Sequence, residues 1–431
     1  MIVWNEVSES MQKSALCRPA IAVSEKVMAI TTSIIESVKD QGDEALLEMA
    51  KNFDNRKSPR LLVSQSEIEQ SASTLSTELK EAIERAYQNI RTFHECQKPK
   101  DINVQTQPGV DCMLKFQAIE SVGLYVPGGS APLPSSVLMQ GVCAQLAGVK
   151  TIVLATPVKG DDSIHPAILY AAKLCGISTI VEAGGAGAIA AMALGTKTIP
   201  KVNKVFGPGN SYVTMAKQLL SQQLPGFAID MPAGPSEVLV IADDGANPAF
   251  IAADLLSQAE HGEDSQVILL CTSKSVIQET KVEIEQQLKT LSRANIARAA
   301  LENSCFILTE SLEQAFSISA EYGPEHVILQ IRCADEYLDQ VKNAGSVFVG
   351  DFTPESAGDY ASGTNHVLPT YGYSKVYSSL NLLDFYRTYT VQQITQNGLQ
   401  KLSRAILPLA EAEGLDAHAN AVTIRLGVQQ S

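Results

Sequence analysis

The feature that most restricts the fold is a series of nine short apolar runs between residues 121 and 351: "SVGLYVPGG", "KTIVLATP", "STIVEAGG", "NKVFGPG", "SEVLVIADD", "SQVILLCT", "SCFILTE", "EHVILQI" and "GSVFVGD". Each has the length of a strand. Helical stretches such as "HPAILYAAKLCG" and "NPAFIAADLLSQAEHG" separate several of them. Strand-helix-strand alternation predicts an α/β chain with parallel sheets, and nine strands suggest two such units.

Before the runs, "EKVMAITTSIIESVKDQGDEALLEMAKNFD" and "STELKEAIERAYQNIRTFHECQ" show helical periodicity. A Pro/Gly-rich segment sets a boundary near residue 237, and beyond about residue 380 the apolar runs stop, leaving what reads as a small helical tail. At 431 residues the chain exceeds one ordinary core.

A net charge of −14 argues against nucleic acid, which needs a basic stripe. The apolar windows fall short of the roughly 18 residues of a membrane helix. The N-terminus lacks a basic segment followed by an apolar one, so a cytoplasmic protein is expected. Eight cysteines contain no C-x-x-C pair, and Cys143, Cys175 and Cys271 lie in apolar surroundings, as reduced core thiols do.

In "VEAGGAGAIAA", Gly185, Gly187 and Ala190 have the G-x-G-x-x-A spacing of a dinucleotide fingerprint. The acidic residue expected about 20 positions later is missing, because no Asp or Glu occurs from Thr196 to Gln223. Packing alone also explains an Ala-Gly turn before a helix, and the spacing does not decide between the two.

Four of the six histidines, His261, His326, His366 and His418, stand beside carboxylates, amides or glycines. A helix opening at Asn247 and Pro248 should end near His261, with Gly262 as its cap, placing Gln258 and His261 on one face. A histidine complementing the helix C-terminus accounts for this equally well. Asp359 and His366 share a Gly/Ser-rich loop, and Glu413, Asp416 and His418 mark a helix start that solvent alone would explain. Taken together, a Gln, a carboxylate and histidines form a set suited to a divalent ion such as zinc. Glu325 and His326, adjacent after a Gly-Pro turn, are the acid/base candidates, since His titrates near neutral pH.

The motifs "GLYVPGGSAPLPSSVLM", "KVFGPGNSYV", "DMPAGPSEVLVIAD", "LLSQAEHGEDSQV", "YGPEHV", "GDYASGTNHVLPTYG" and "EGLDAHANAVTIRL" together resemble the histidinol dehydrogenase family, in its order, over residues 25 to 427. The resemblance implies oxidation of L-histidinol to L-histidine by two hydride transfers to NAD through a bound aldehyde. It implies Gln258, His261, Asp359 and His418 as ligands of one zinc per subunit, in a homodimer whose last ligand acts in the partner's site. The zinc would hold the substrate. Glu325 and His326 would be the acid/base pair. Ser236, His366 and Glu413 match substrate-contacting positions, and Tyr125, Gly187 and Asn210 match cofactor-contacting ones.

The fold implied is two incomplete Rossmann-like α/β domains with small N- and C-terminal helical extensions. The division expected is residues 1–24, an extension; 25–125 with 238–380, a first domain; 126–237, a second; and 381–431, a helical extension reaching the partner site. One departure stands out: the family reads G-G-A-Q-A-I-A where this chain has Gly187. A zinc hydrolase using Glu325 as base, or a metal-stabilised binding protein, stays open on the residues alone, although four protein ligands leave a hydrolase no position for water.

Overall fold

The computed structural model describes residues 1–18, 25–128, 132–160, 162–232 and 234–427. The expected boundary at residue 24 and the last four residues of the chain therefore lie outside the described residues.

All nine apolar runs are strands, and they divide between two all-parallel sheets. The five-stranded sheet has the spatial order Thr179–Glu182, Thr151–Thr156, Ser121–Tyr125, Lys204–Phe206, Ala228–Ile229. The six-stranded sheet runs Ile2–Val3, Cys305–Leu308, Gln266–Cys271, Glu237–Ala242, His326–Gln330, Ser346–Val349. Helices cover both faces, which is why the central strands read as unbroken apolar runs: every residue of Glu237–Ala242 and Gln266–Cys271 is buried. The fold is of the Rossmann-like α/β type.

The division of the chain differs from the expected one. Ser121–Tyr125 pairs with Thr151–Thr156, so it belongs to the five-stranded sheet. Helices Glu25–Gln41 and Thr77–Glu95 pack against the helices Gly185–Leu194 and Pro134–Ala147 of that same unit, placing 25–125 with 126–237 rather than with 238–380. The reason is that a helix joins whichever sheet its apolar stripe can cover, and a stripe carries no address. The extension before residue 19 is also more than an appendage: Ile2–Val3 extends the six-stranded sheet and Trp4 enters its core.

Two local expectations change as well. The long periodic stretch from residue 25 is two helices, Glu25–Gln41 and Asp43–Phe53, broken at Gly42, whose φ of +56° favours glycine. The tail is not purely helical. Tyr386–Ile394 pairs antiparallel with Val110–Ala118, which pairs with Ile102–Gln107, before the helices Gln396–Ala412 and Asp416–Leu426. This small sheet is largely exposed, so its strands lack the apolar runs that betray buried ones. No helix among the described residues is long and apolar enough to cross a membrane.

Candidate active site

The two sheets meet at opposite ends. From the five-stranded sheet, Tyr125 at the end of one strand and Gly207–Asn210 after the neighbouring one present carboxyl ends, at the point where the strand order reverses. That is the usual ligand crevice of an open α/β sheet. From the six-stranded sheet, Ser236–Glu237 and Glu325–His326 present amino ends. The helix Pro248–Ala259 runs back antiparallel to its strand and so delivers Gln258 and His261 to the same place.

A cavity of about 380 Å³ between the units gathers Ser236, Gln258, His261, Glu325, His326 and Asp359, and also His366 and Asn210. A second cavity of about 500 Å³ is lined by Tyr125, Gly187 and Asn210, with an apolar wall from the helices Glu25–Gln41 and Asp43–Phe53. Asn210 lines both. Glu413 and His418 line neither; both are exposed on the C-terminal helices.

The Glu237 backbone positions the acid/base candidates. Its N–H donates to Glu325 Oε2 at 2.9 Å, and its carbonyl lies 3.0 Å from His326 Nδ1. The His326 Nδ1 thus carries the proton, leaving Nε2 as an acceptor, and this buried nitrogen has no hydrogen-bond partner among the described residues. On the opposite side of the strand, the Glu237 carboxylate takes two bonds from Arg18, at 2.5 and 3.0 Å, and Arg18 stacks 3.7 Å over the Tyr322 ring.

Glu325 and His326 are 6% and 3% exposed, so an exposed loop pair is excluded. Burial pushes the Glu325 carboxyl well above the usual range, and the nearby Glu237, Glu355 and Asp359 add to this. Burial likewise lowers the His326 imidazole, partly opposed by Asp359. A carboxyl made more basic by burial and a neutral imidazole are two groups able to accept a proton.

Gln258 is buried; with its side-chain amide turned over, the nitrogen donates to Glu355 and the oxygen shares, at 3.0 Å, the Glu237 N–H that also reaches Glu325. The helix ends at Ala259 with Glu260 as its cap, two residues before the expected end at His261, and Gly262 is not in the left-handed region. Asp359 sits in a short helix, Glu355–Tyr360, rather than in a loop. His366 Nδ1 lies 2.7 Å from the Asp359 carbonyl and Nε2 lies 3.1 Å from Ser136 Oγ, which ties it to the helix Pro134–Ala147 of the other unit. Burial lowers its imidazole too.

The donor set fits a divalent cation. Ligand atoms of His326, Glu355 and Asp359 lie within 4.8 Å of one another, and Gln258 and His261 face the same cavity. This grouping shares only Asp359 with the four ligands implied by resemblance. Buried carboxyls crowded like this repel each other, and a cation relieves that repulsion. Glu355 escaped the sequence reading: an acid following Pro354 at a helix start looks like an ordinary dipole complement, and nothing nearby signals that it is 1% exposed.

A model of the histidinol dehydrogenase family matches residues 18–426. The chain belongs to the histidinol dehydrogenase family. It is 70% identical over 426 residues to histidinol dehydrogenase of Pseudoalteromonas translucida (strain TAC 125), covering 99% of this chain and 98% of that one. It is 56% identical to the Yersinia pestis protein of the same name, covering 99% and 95%. The crystal structure of histidinol dehydrogenase from Elizabethkingia anophelis superposes with a TM-score of 0.94 at 49% identity, covering 98% of this chain and 96% of that one. Family membership makes the chain an oxidoreductase that oxidises histidinol in histidine biosynthesis.

Proposed function

We propose that this chain converts L-histidinol to L-histidine by two successive NAD-dependent oxidations, with L-histidinal held in the cavity between them. The observation that carries the reading is the unpartnered Nε2 of His326, fixed as an acceptor by the Glu237 carbonyl and set beside the buried Glu325, whose basicity burial raises. His326 takes the proton of the alcohol as hydride leaves the carbinol carbon. Glu325 then takes a proton from the water that attacks the aldehyde, giving the hydrate from which the second hydride departs.

Gln258, His261, Asp359 and the partner subunit's His418 would hold zinc, which when bound secures the substrate's imidazole and amino nitrogens. The exposed placement of His418, on an arm carrying Leu409 and Ile424 at 62% and 68% exposure, supports a site completed across a homodimer, because exposed apolar side chains of this size favour cover. Ser236 and His366 contact the substrate, as does Glu413, which reaches it from the partner side. The groove at Tyr125, Gly187 and Asn210 takes NAD, the hydride acceptor, whose pyrophosphate suits the N-terminus of the helix Gly185–Leu194.

Purified protein given L-histidinol and excess NAD should form two NADH per substrate consumed. One NADH, or none at any NAD concentration, overturns the reading.

A further inference from the structure

The loop Gly207–Asn210 separates the two cavities, and the Asn210 side chain is already engaged: its Oδ1 accepts from the N–H groups of Tyr212 and Val213, both at 3.1 Å, capping the helix Ser211–Gln223. Asn210 therefore depends on its loop for placement. At the start of that loop Gly207 has a φ of +112°, and a Cβ there would lie 2.0 Å from the Tyr125 carbonyl oxygen. Only glycine lets the two strand ends approach so closely.

Both polar backbone groups of Gly207 end on one buried ion pair. The N–H donates to Asp230 Oδ2 at 2.7 Å, and the carbonyl accepts from Lys217 Nζ at 2.9 Å. Lys217 and Asp230 are bonded directly to each other, with side chains 5% and 2% exposed. Lys217 comes from the helix that the loop begins, and Asp230 from the segment after Ala228–Ile229. Desolvation offsets much of the attraction in a buried pair, so its net contribution to stability is small, whereas its directional hold on Gly207 is strong.

We propose that Lys217 and Asp230 are positioning residues for the cofactor: the pair clamps Gly207 against Tyr125 and so fixes Asn210 beside the groove. Loosening the clamp weakens NAD binding through Tyr125 and Asn210, which line the groove. Because Gly207–Asn210 and Asp230 also form one wall of the substrate cavity, L-histidinol binding weakens too, but less, since Ser236, Gln258, His261, Glu325 and His326 come from the other unit. This inference rests on the reading that the groove takes NAD.

The test uses Lys217→Met, Asp230→Asn and the double variant, assayed with L-histidinol and NAD, together with the shift in melting temperature that NAD produces. Each single variant should raise KM for NAD about tenfold, raise KM for L-histidinol by clearly less than that and shrink the NAD-induced shift. The double variant should be no worse than the worse single one, since both break one clamp. A lowered melting temperature with KM for NAD unchanged overturns the proposal, and so does an equal rise in both KM values. Should the single variants not fold, Lys217→Arg keeps the charge while moving the donor away from Gly207, and the same split is required of it. Wild-type protein that shows neither an NAD-induced shift nor NADH formation refutes the NAD reading itself, a failure distinct from that of the clamp.

Discussion

Gly187 offers a quantitative test of the cofactor groove. It is the third residue of the helix Gly185–Leu194, it faces the groove, and its backbone is outside the left-handed region, so a side chain is conformationally allowed. Space is the obstacle. A Cβ would stand 2.9 Å from Met49 Sδ and 3.3 Å from Leu46 Cδ2. Met49 thus occupies the room that a side chain at 187 would use. Being unbranched, it can swing away at modest cost, but a Met49 that stays would cost about 1–3 kcal/mol by overpacking. Against this, replacing a glycine within a helix gains about 0.5–1 kcal/mol. A glutamine amide reaching NAD adds a hydrogen bond worth about 0.5–1.5 kcal/mol net, or about a two- to tenfold lower KM.

Gly187→Gln alone should therefore give only part of that gain, and Gly187→Gln with Met49→Ala all of it. The assay is steady-state NADH formation at saturating L-histidinol with NAD varied, checked against thermal melting. An unchanged KM for NAD in both variants, each folded as stably as the parent, would refute the reasoning, because the position would then not touch the cofactor.

Replacing His326 by Gln should lower kcat by about 10²–10⁴ while leaving substrate affinity within a few-fold, since only proton transfer is lost; an unimpaired rate would remove His326 from the mechanism. Mixing inactive His418→Ala protein with inactive His261→Ala protein should restore activity, because every mixed dimer carries one intact shared site; confirmed mixed dimers without activity would rule out sharing. Asp254, 4% exposed, has its carboxyl pushed up from 3.8 to about 6 by burial, so its charged form costs up to about 3 kcal/mol of stability. The folded value lies above the unfolded one, so this cost is absent below about pH 4 and complete above about pH 6. Asp254→Asn should raise the melting temperature more at pH 8 than at pH 4; an equal effect at both would show that the charge is not the cause.

Much of the site was legible because its residues are chemically conspicuous. Gln258, His261, Glu325, His326, Asp359 and His366 all stand out as polar groups near turns, and all line one cavity. Glu237, Glu355, Asp230 and Lys217 were not legible. Their roles come from burial and from which backbone groups they meet, and neither is written in local sequence. Glu237 is a case in point: within an apolar run it reads as the solvated start of a strand, yet its backbone holds both acid/base candidates and its carboxylate holds Arg18, 219 positions earlier.

Sequence by itself determined the nine strands and their parallel character, because central strands covered on both faces must be apolar throughout and helices must return the chain between them. Family membership was also legible, in long motifs kept in order. Tertiary structure alone decided which sheet each flanking helix covers, that the exposed strands Ile102–Gln107 and Tyr386–Ile394 exist at all, and that the six-stranded sheet meets the cavity with its amino rather than its carboxyl ends. The reason is the range of the forces. Strand and helix patterns arise from burial and hydrogen bonding within a few residues, whereas the placement of sheets against each other depends on surfaces whose partners lie hundreds of positions apart.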